Sequence, residues 1–336
     1  MRLTVQDSSA LKGIAILLML VHHLFSGQTG VYDDMLLYTS SSGECHYLIH
    51  EIGILSKVCV AIFVFLSGYG LVAQAEKNFG RVSLKDYYLH RFKKLYLNYW
   101  FIWILFVPIS IFCFNYTFEQ AYHSKIVSNF LADILGIHAL LFKDIHCYNP
   151  TWWFYSAIIL LYLLFPFLFR IMRNYPIYVL LLSFIIPLLP IPVSGDVKYC
   201  FPTFVLGMSL SKNAPPTQSI SNRMKSSWFA IVLLLLYGMI RNSNTYPLLI
   251  DTVLTLLIVM AYLNIKKNER IINALVFLGR HSMNIFLFHT FIYHFWFKDI
   301  VYFYSNPFVI FITLLALCIP ISILLEIVKK YSICKL

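Results

Sequence analysis

The sequence predicts an all-α integral membrane protein, and three observations support this prediction. Hydrophobic residues make up 60% of the 336 residues and charged residues only 12%, whereas soluble proteins average about 25% charged residues. The mean hydropathy is +0.74. The apolar residues are gathered in segments that approach the ~20 residues a helix needs to cross a bilayer. We therefore expect a polytopic membrane protein with about ten transmembrane helices.

The apolar segments divide the chain into ten predicted spans. A further segment, 120–142, is apolar only in part and contains Lys125, Asp133 and His138, so we expect it to be re-entrant or to lie on the membrane surface. No internal repeat or extramembrane catalytic domain is visible, and residues 1–336 are predicted to form a single membrane domain. The predicted spans are approximately 11–26, 52–74, 95–114, 151–172, 176–192, 199–211, 227–241, 247–264, 272–297 and 307–328.

The distribution of Lys and Arg predicts the orientation of the chain, because cytoplasmic connections are enriched in basic residues. One set of connections, together with both termini, contains nineteen of the basic residues, and the opposite set contains six. Both termini are therefore predicted to be cytoplasmic, with Lys12 near the inner face and His23 in the outer half. The net charge of +11 is explained by these membrane anchors, and no nucleic-acid partner is expected.

The first apolar segment contains Lys12 and has no Ala-x-Ala cleavage site, so we expect it to remain as the first helix rather than to be removed as a signal peptide. The seven cysteines form no Cys-x-x-Cys pair and no Cys/His ligand spacing. Neither a metal site nor a redox site is predicted from them.

Lys12 and His23 lie eleven residues apart in one apolar segment, which places them roughly 16 Å apart along a helix. Ionisable groups inside a membrane helix are costly and often mark a reaction site. The pattern favours an anion held at one end and proton transfer at the other. The alternative is a snorkelling lysine and an interfacial histidine without a catalytic role. His22 is adjacent, but neighbours on a helix point about 100° apart.

A basic cluster formed by Arg91, Lys93 and Lys94 precedes the third span. Guanidinium and ammonium groups bind phosphate-rich ligands, although ordinary cytoplasmic anchoring explains such a cluster equally well. Ser67 and the glycine that follows it lie in the second span. Small residues there allow either close helix packing or a ligand near the backbone.

Aromatic and polar residues gather where the fourth span begins: Tyr148, Asn149, Trp152 and Trp153. Such side chains stack on and hydrogen-bond to sugars, but Trp and Tyr also form the interfacial belt of membrane proteins. His289 lies in the outer half of the ninth span, at a depth similar to that of the first-span histidine. Two imidazoles that meet at one depth would form a site, whereas two separate packing histidines would not.

Taken in order, these segments resemble the membrane-bound acyltransferase-3 family, whose members O-acylate surface glycans. The family opens with a basic residue, ten intervening residues and a histidine, and this spacing matches Lys12 and His23 rather than His22. Lysine stands where many members have arginine, which affects bidentate contact but not charge. The resemblance covers the whole chain and includes Phe63–Tyr69, Arg91–Lys94, Trp153–Ser156, Gly279, Ser282 and His289. The proline after the basic cluster and the glutamate after the tryptophan are absent.

The resemblance implies an enzyme that transfers an acyl group, most often acetyl, from acetyl-CoA to a hydroxyl of a capsule, exopolysaccharide or lipopolysaccharide type of glycan. His23 would be the general base, with His289 as its catalytic partner. No metal is expected, and direct transfer and a transient acyl-histidine both remain open. The donor would bind through Lys12, Ser67, Arg91, Lys93 and Lys94, and the acceptor through Tyr148, Asn149, Trp152 and Trp153.

The predicted location is the cell membrane, as a multi-pass protein of a bacterial inner or cytoplasmic membrane. A second hypothesis is a transporter or flippase for lipid-linked glycans, which would use the same basic face and aromatic rim. A third is a structural partner of a glycan synthase complex. Transport differs from acyl transfer because it needs no acyl donor and survives the loss of His23.

Overall fold

The computed structural model describes residues 3–27, 43–77, 83–141, 146–191, 193–212, 247–265 and 268–333, and all the regular secondary structure in these ranges is helical. Short 3₁₀ turns connect several of the helices. The α-helices are α1 Val5–Phe25, α2 Gly43–Leu55, α3 Val58–Lys77, α4 Leu84–Phe114, α5 Phe118–Tyr122, α6 Ile126–Ile134, α7 Trp153–Met172, α8 Pro176–Ser183, α9 Gly195–Lys212, α10 Pro247–Asn264, α11 Glu269–Thr290, α12 Lys298–Val301 and α13 Pro307–Ile333.

Six helical segments in the described ranges are long and apolar enough to cross a membrane, and two shorter apolar helices, Pro176–Leu188 and Ile250–Asn264, accompany them. The prediction of about ten spans is thus met in part. The predicted span 227–241 lies outside the described residues, and each of the others overlaps at least one helix. The six segments are Val5–Phe25, Leu48–Lys77, Leu84–Phe114, Pro150–Met172, Glu269–Trp296 and Pro307–Tyr331.

Helix α1 begins at a capping box, which explains why it starts before the apolar segment itself. The Thr4 hydroxyl accepts a hydrogen bond from the Asp7 N–H, and the Asp7 carboxylate accepts one from the Thr4 N–H, each 3.0 Å long. Such a reciprocal cap satisfies two N–H groups that have no partner within the helix. The sequence prediction placed the start of this span at residue 11, about six residues too late, because it followed apolarity alone.

Helices α1 and α11 cross with their backbones in contact. A Cβ atom on Gly13 would lie 2.0 Å from the carbonyl oxygen of Leu275, and one on Gly279 would lie 1.8 Å from that of Ser9. Only glycine fits at both positions, in the manner of small-residue contacts between membrane helices. This crossing sets the relative depth of every residue further along the two helices.

A second close contact joins α3 and α9. A Cβ atom on Gly68 would lie 2.2 Å from the carbonyl oxygen of Phe204, and one on Gly207 would lie 2.2 Å from that of Phe65. Of the two roles left open for the Ser67–Gly68 pair, Gly68 therefore has the packing role.

The segment that contains α5 and α6 folds back along α4. The Tyr96 hydroxyl donates to the Leu135 carbonyl at 2.7 Å, and the Trp100 indole donates to the Ile134 carbonyl at 2.8 Å. Tyr96 lies eighteen residues before the end of α4, which is roughly 27 Å along the helix axis. The nine residues of α6 are too few to cross a bilayer. These contacts hold the end of α6 against the middle of α4, and the two geometries expected for 120–142, re-entrant and surface-lying, both stay predictions.

Candidate active site

Three histidines and a tyrosine meet where α1 and α11 lie side by side. The ring centroids of His23 and His289 are 4.9 Å apart, and those of His22 and His23 are 5.0 Å apart. The Tyr293 ring lies 5.8 Å from His289 and 6.5 Å from His23. The structure therefore brings together the two imidazoles that sequence analysis placed at one depth.

The glycine crossing explains why these imidazoles meet. His23 stands ten residues after Gly13, and His289 stands ten residues after Gly279. Because both glycines lie at the crossing and each residue rises 1.5 Å, the two histidines are both roughly 15 Å beyond it. Two parallel helices in backbone contact thus hold the histidines at one level.

Hydrogen bonds to backbone carbonyls indicate which ring nitrogens carry protons. The Nδ1 atom of His22 lies 2.8 Å from the Gly53 oxygen, and that of His289 lies 3.0 Å from the Phe286 oxygen. A carbonyl only accepts hydrogen bonds, so each Nδ1 is the donor and each Nε2 carries a lone pair when the ring is neutral. The His289 Nε2 atom is buried and has no hydrogen-bond partner among the described residues.

His23 faces a cavity of about 270 Å³, which we call the histidine cavity. Its side chain is half-buried, whereas His289 is fully buried behind it. The cavity wall combines aromatic faces with a few polar groups, a composition typical of ligand sites. The lining residues are Met19, His22, His23, Lys57, Cys59, Val60, Phe63, Pro150, Thr151, Trp153, Phe154, Asp196, Phe286, Thr290, Tyr293 and His294.

Lys57 and Asp196 are lining residues that sequence analysis did not select. The Lys57 Nζ atom lies 3.5 Å from the Asp196 Oδ1 atom, although the two residues are 139 positions apart. Lys57 stands at a break between α2 and α3, within what was predicted to be one continuous span. A lysine inside an apolar segment was a visible signal, but its distant partner was not.

Of the four residues predicted to bind the acceptor, only Trp153 lines the histidine cavity. Tyr148, Asn149 and Trp152 are each 0% exposed. The Trp152 indole donates to the Leu287 carbonyl at 2.9 Å, and the Asn149 side-chain amide donates to the same oxygen at 3.4 Å. The Asn149 side-chain oxygen accepts a hydrogen bond from the Thr151 N–H. These three side chains pack behind the cavity wall, where other groups of the protein satisfy their polar atoms. Contact with a sugar is not available to them in this conformation.

A second cavity, of about 560 Å³, lies at the other end of the bundle, and we call it the arginine cavity. Arg91 lines this cavity and donates a hydrogen bond to the side-chain oxygen of Gln74. Its lining includes three guanidinium groups, those of Arg91, Arg170 and Arg173, a composition suited to a phosphate-bearing ligand. The lining residues are Leu71, Gln74, Ala75, Ser83, Leu84, Asp86, Tyr87, His90, Arg91, Phe165, Pro166, Phe169, Arg170 and Arg173.

The other residues predicted to bind the donor lie outside the arginine cavity. Lys12 is within electrostatic range of Lys94, so these two cations share one region. Lys93 is exposed and lines neither cavity. Ser67 is half-buried on α3 and also lines neither cavity.

One face of α3 contributes residues to both cavities. Val60 and Phe63 line the histidine cavity, and Leu71 and Gln74 line the arginine cavity. Ser67 lies between them at the three- or four-residue spacing that places side chains on one helix face. Phe63 and Gln74 are eleven residues apart, which is roughly 16 Å along the helix. We call these five residues the α3 face.

A buried carboxylate supports the wall of the histidine cavity from behind. Asp133 is 0% exposed, and its Oδ2 atom accepts hydrogen bonds from the Tyr122 hydroxyl at 2.8 Å and the Tyr148 N–H at 3.0 Å. Burial raises the pKa of Asp133 to about 6, and the hydrogen bonds oppose this rise. Burial also lowers the pKa of the neighbouring His138 to about 4. Its Nδ1 atom lies 3.6 Å from the Asp133 carboxylate.

Across the part of the chain that the structure describes, no group of three or more His, Cys, Asp and Glu side chains is arranged to hold a metal ion.

Comparison with protein families identifies the class of protein to which this fold and site belong. Residues 6–327 match the acyltransferase-3 family, described as an acyltransferase domain. The match covers nearly the whole chain, so the chain belongs to this family and is a multi-pass membrane acyltransferase. No curated protein and no solved structure matches the chain.

Proposed function

We propose that the chain transfers an acetyl group from acetyl-CoA to a hydroxyl of a cell-surface or lipid-linked glycan, with His23 as general base. The principal support is one observation. His23 lines one cavity, three arginines line a second cavity at the other end of the bundle, and the α3 face has residues in both. A donor with a charged nucleotide and a long acyl-bearing arm matches this arrangement.

His23 acts on the acceptor hydroxyl within the histidine cavity. Its imidazole takes the hydroxyl proton as the oxygen attacks the thioester carbonyl, the carbon–sulfur bond breaks, and the thiolate receives the proton from the imidazolium. His289 lies against it at 4.9 Å with Nδ1 fixed by backbone carbonyls. We assign His289 to hold the His23 ring in place. Direct transfer needs no covalent intermediate, and an acyl-histidine remains the alternative route.

The donor's phosphates bind in the arginine cavity. Arg91 on α4, Arg170 on α7 and Arg173, the residue after α7, line this cavity and supply three guanidinium groups for the phosphates. Lys12 and Lys94 add positive charge nearby. The pantetheine arm follows the α3 face past Ser67, over the roughly 16 Å that separates the two cavities along the helix.

The acceptor binds in the histidine cavity against the Trp153 ring, because aromatic faces stack on sugars and this ring lines the cavity. The side chains of Tyr148, Asn149 and Trp152 are fully buried and support the wall of this cavity. The acceptor is a carbohydrate of the capsule, exopolysaccharide or lipopolysaccharide type. The chain resides in a bacterial cytoplasmic membrane.

In the proposed orientation, the arginine cavity lies at the cytoplasmic face and the histidine cavity in the outer half. Two exposed positions at opposite ends of the α4 region test this placement, Lys85 and Glu119. Each is replaced by cysteine and treated with an impermeant maleimide, and labelling is measured peptide by peptide. Glu119→Cys should react in intact cells, and Lys85→Cys only after lysis. The reverse pattern would show that the orientation is inverted.

Purified full-length protein, radiolabelled acetyl-CoA and membranes from the source cell test the reaction itself. The wild type should transfer label to glycan and release CoA thiol in equal amounts. Arg91→Ala should lower the affinity for acetyl-CoA. A transporter or flippase would move glycan without acetyl-CoA and without His23, so glycan movement of that kind, in the absence of any labelled glycan, would reject the proposal.

A further inference from the structure

Two charged side chains line the histidine cavity, and the reaction described above does not use them. Lys57 stands at the break before α3, and Asp196 lies in the first turn of α9. Their Nζ and Oδ1 atoms are 3.5 Å apart, and Lys57 is within electrostatic range of His23. With neutral imidazoles, these are the two described lining residues that carry a formal charge.

The two partners are not equally exposed. The Lys57 side chain is 19% exposed and the Asp196 side chain 45% exposed, so an incoming ligand meets carboxylate oxygens more readily than the ammonium. An ionised carboxylate offers about four lone-pair positions and no donor. The ammonium occupies one of them. The remaining positions suit hydroxyl groups, and two neighbouring hydroxyls of a sugar can donate to one carboxylate.

The charges of this pair cancel, so the cavity holds no uncompensated cation for an anionic ligand. A sugar carboxylate about 5 Å from the Asp196 oxygens, on the side away from Lys57, would be repelled by the carboxylate and attracted about half as strongly by the ammonium. At an effective dielectric constant of about 20 the net repulsion lowers binding on the order of tenfold. A neutral sugar avoids the repulsion and retains its hydroxyl contacts.

We propose that the Lys57–Asp196 pair selects an uncharged sugar as the acylated residue, with Asp196 accepting hydrogen bonds from its neighbouring hydroxyls. The proposal rests on the proposed function, because it assumes that the acceptor enters the histidine cavity. It adds the substrate class, neutral rather than acidic, and a specificity-determining residue.

Two soluble acceptors that differ only at C6 test this selection: methyl β-galactopyranoside, which is neutral, and methyl β-galactopyranosiduronate, which is anionic. Detergent-solubilised full-length protein is supplied with radiolabelled acetyl-CoA, and kcat/KM is measured for each glycoside. The wild type should prefer the neutral glycoside by about tenfold. Asp196→Asn keeps the side-chain shape without the charge, so the preference should fall below about threefold.

Two further variants complete the test. Lys57→Met leaves the Asp196 carboxylate without its cation and should widen the preference for the neutral glycoside. Glu119→Gln removes an exposed carboxylate outside the cavity and should leave the ratio unchanged.

The proposal is overturned if the wild type uses the uronide as well as the neutral sugar, or if Asp196→Asn leaves the ratio as it was. It also falls if neither glycoside is acetylated while CoA thiol is still released in a His23-dependent manner, an outcome that leaves acyl transfer standing. If no CoA thiol is released with either glycoside or with source membranes, the proposed function itself fails.

Discussion

Gly13 and Gly279 lie in backbone contact, and each stands ten residues before a histidine of the site. A Cβ atom on Gly279 would lie 3.2 Å from the Gly13 nitrogen and 1.8 Å from the Ser9 oxygen. The geometry of the His23–His289 pair therefore depends on a contact roughly 15 Å away along both helices. The packing of the two helices at these glycines is therefore coupled to the geometry of the histidine pair.

Gly279→Ala should destabilise the protein by about 1–3 kcal/mol, because the new methyl group meets backbone rather than a side chain that can move. Acetyl transfer should fall with it, since the two histidines no longer share one level. Thermal unfolding in detergent and a transfer assay measure the two effects. Gly70→Ala is the matched control, because nothing lies within 4 Å of its Cβ position. Equal losses in the two variants would contradict the role of the crossing.

His23→Ala should lower acetyl transfer by ~10²–10⁴, the usual contribution of a general base, while membrane insertion remains normal. His22→Gln should retain most of the activity, because the His22 Nδ1 atom bonds to the Gly53 carbonyl and has a structural partner. Transfer of radiolabel to glycan is the measurement. An essential His22 together with a dispensable His23 would reverse our assignment of the base.

His289→Ala should also impair transfer, and the double variant with His23→Ala should be no worse than the more damaged single variant. Residues that act as one unit show such non-additive losses. The two rings lie 4.9 Å apart, so once His23 is lost, His289 has no general base to position. Single-turnover rates of the three variants test this. Multiplicative losses would mean that the two imidazoles act independently.

Arg91→Ala should weaken acetyl-CoA binding by ~10–100-fold, the cost of losing a charged hydrogen bond to phosphate. Lys93→Ala should change it less than about threefold, since Lys93 is exposed and does not line the arginine cavity. Donor titration at saturating acceptor separates the two variants. Similar effects would support general attraction by surface charge instead of a defined site.

Asp133 and His138 should give opposite pH dependences of stability. The pKa of Asp133 is raised from 3.8 to about 6, so the native state keeps a proton that the unfolded state has lost, and this residue makes stability fall as pH rises through that window. The pKa of His138 is lowered from 6.5 to about 4, so the unfolded state binds the extra proton and stability rises with pH. Each residue thereby changes the free energy of unfolding by about 3 kcal/mol across its pH window.

In the wild type these two slopes nearly cancel between pH 4 and pH 6. Asp133→Asn should therefore expose a stability that rises with pH, and His138→Gln one that falls. Melting temperatures measured relative to the wild type at each pH remove the contribution of other groups. The same slope in both variants would refute the two pKa shifts.

The helices were largely predictable because membrane spans require long apolar segments, and the equal depth of His23 and His289 followed from counting residues along two of them. The family was predictable from the ordered motifs and is confirmed by the match over residues 6–327. The break at residues 56–57 was not predicted, because it falls at a serine and a lysine and neither residue is a helix breaker like proline or glycine.

The composition of the acceptor cavity was less predictable. Trp152 and Trp153 are adjacent and chemically identical, yet one is buried and bonded to Leu287 while the other lines the cavity. Composition alone cannot distinguish them, because the direction of each side chain is set by the turn that begins α7. The Lys57–Asp196 pair was hidden for a related reason: its members are 139 residues apart.

The α3 face has an energetic consequence for a reaction that joins two sides of a membrane. A charge moved across a bilayer does work against the membrane potential, about 2.3 kcal/mol for each elementary charge per 100 mV. On the proposed route past Ser67, the nucleotide stays at one end and the glycan at the other. An acetyl group passes to the glycan and the hydroxyl hydrogen passes back to the CoA thiol, an exchange that moves no net charge. Export of acetyl groups by this chain should then be electrically silent, proceeding at one rate in energised and in depolarised vesicles.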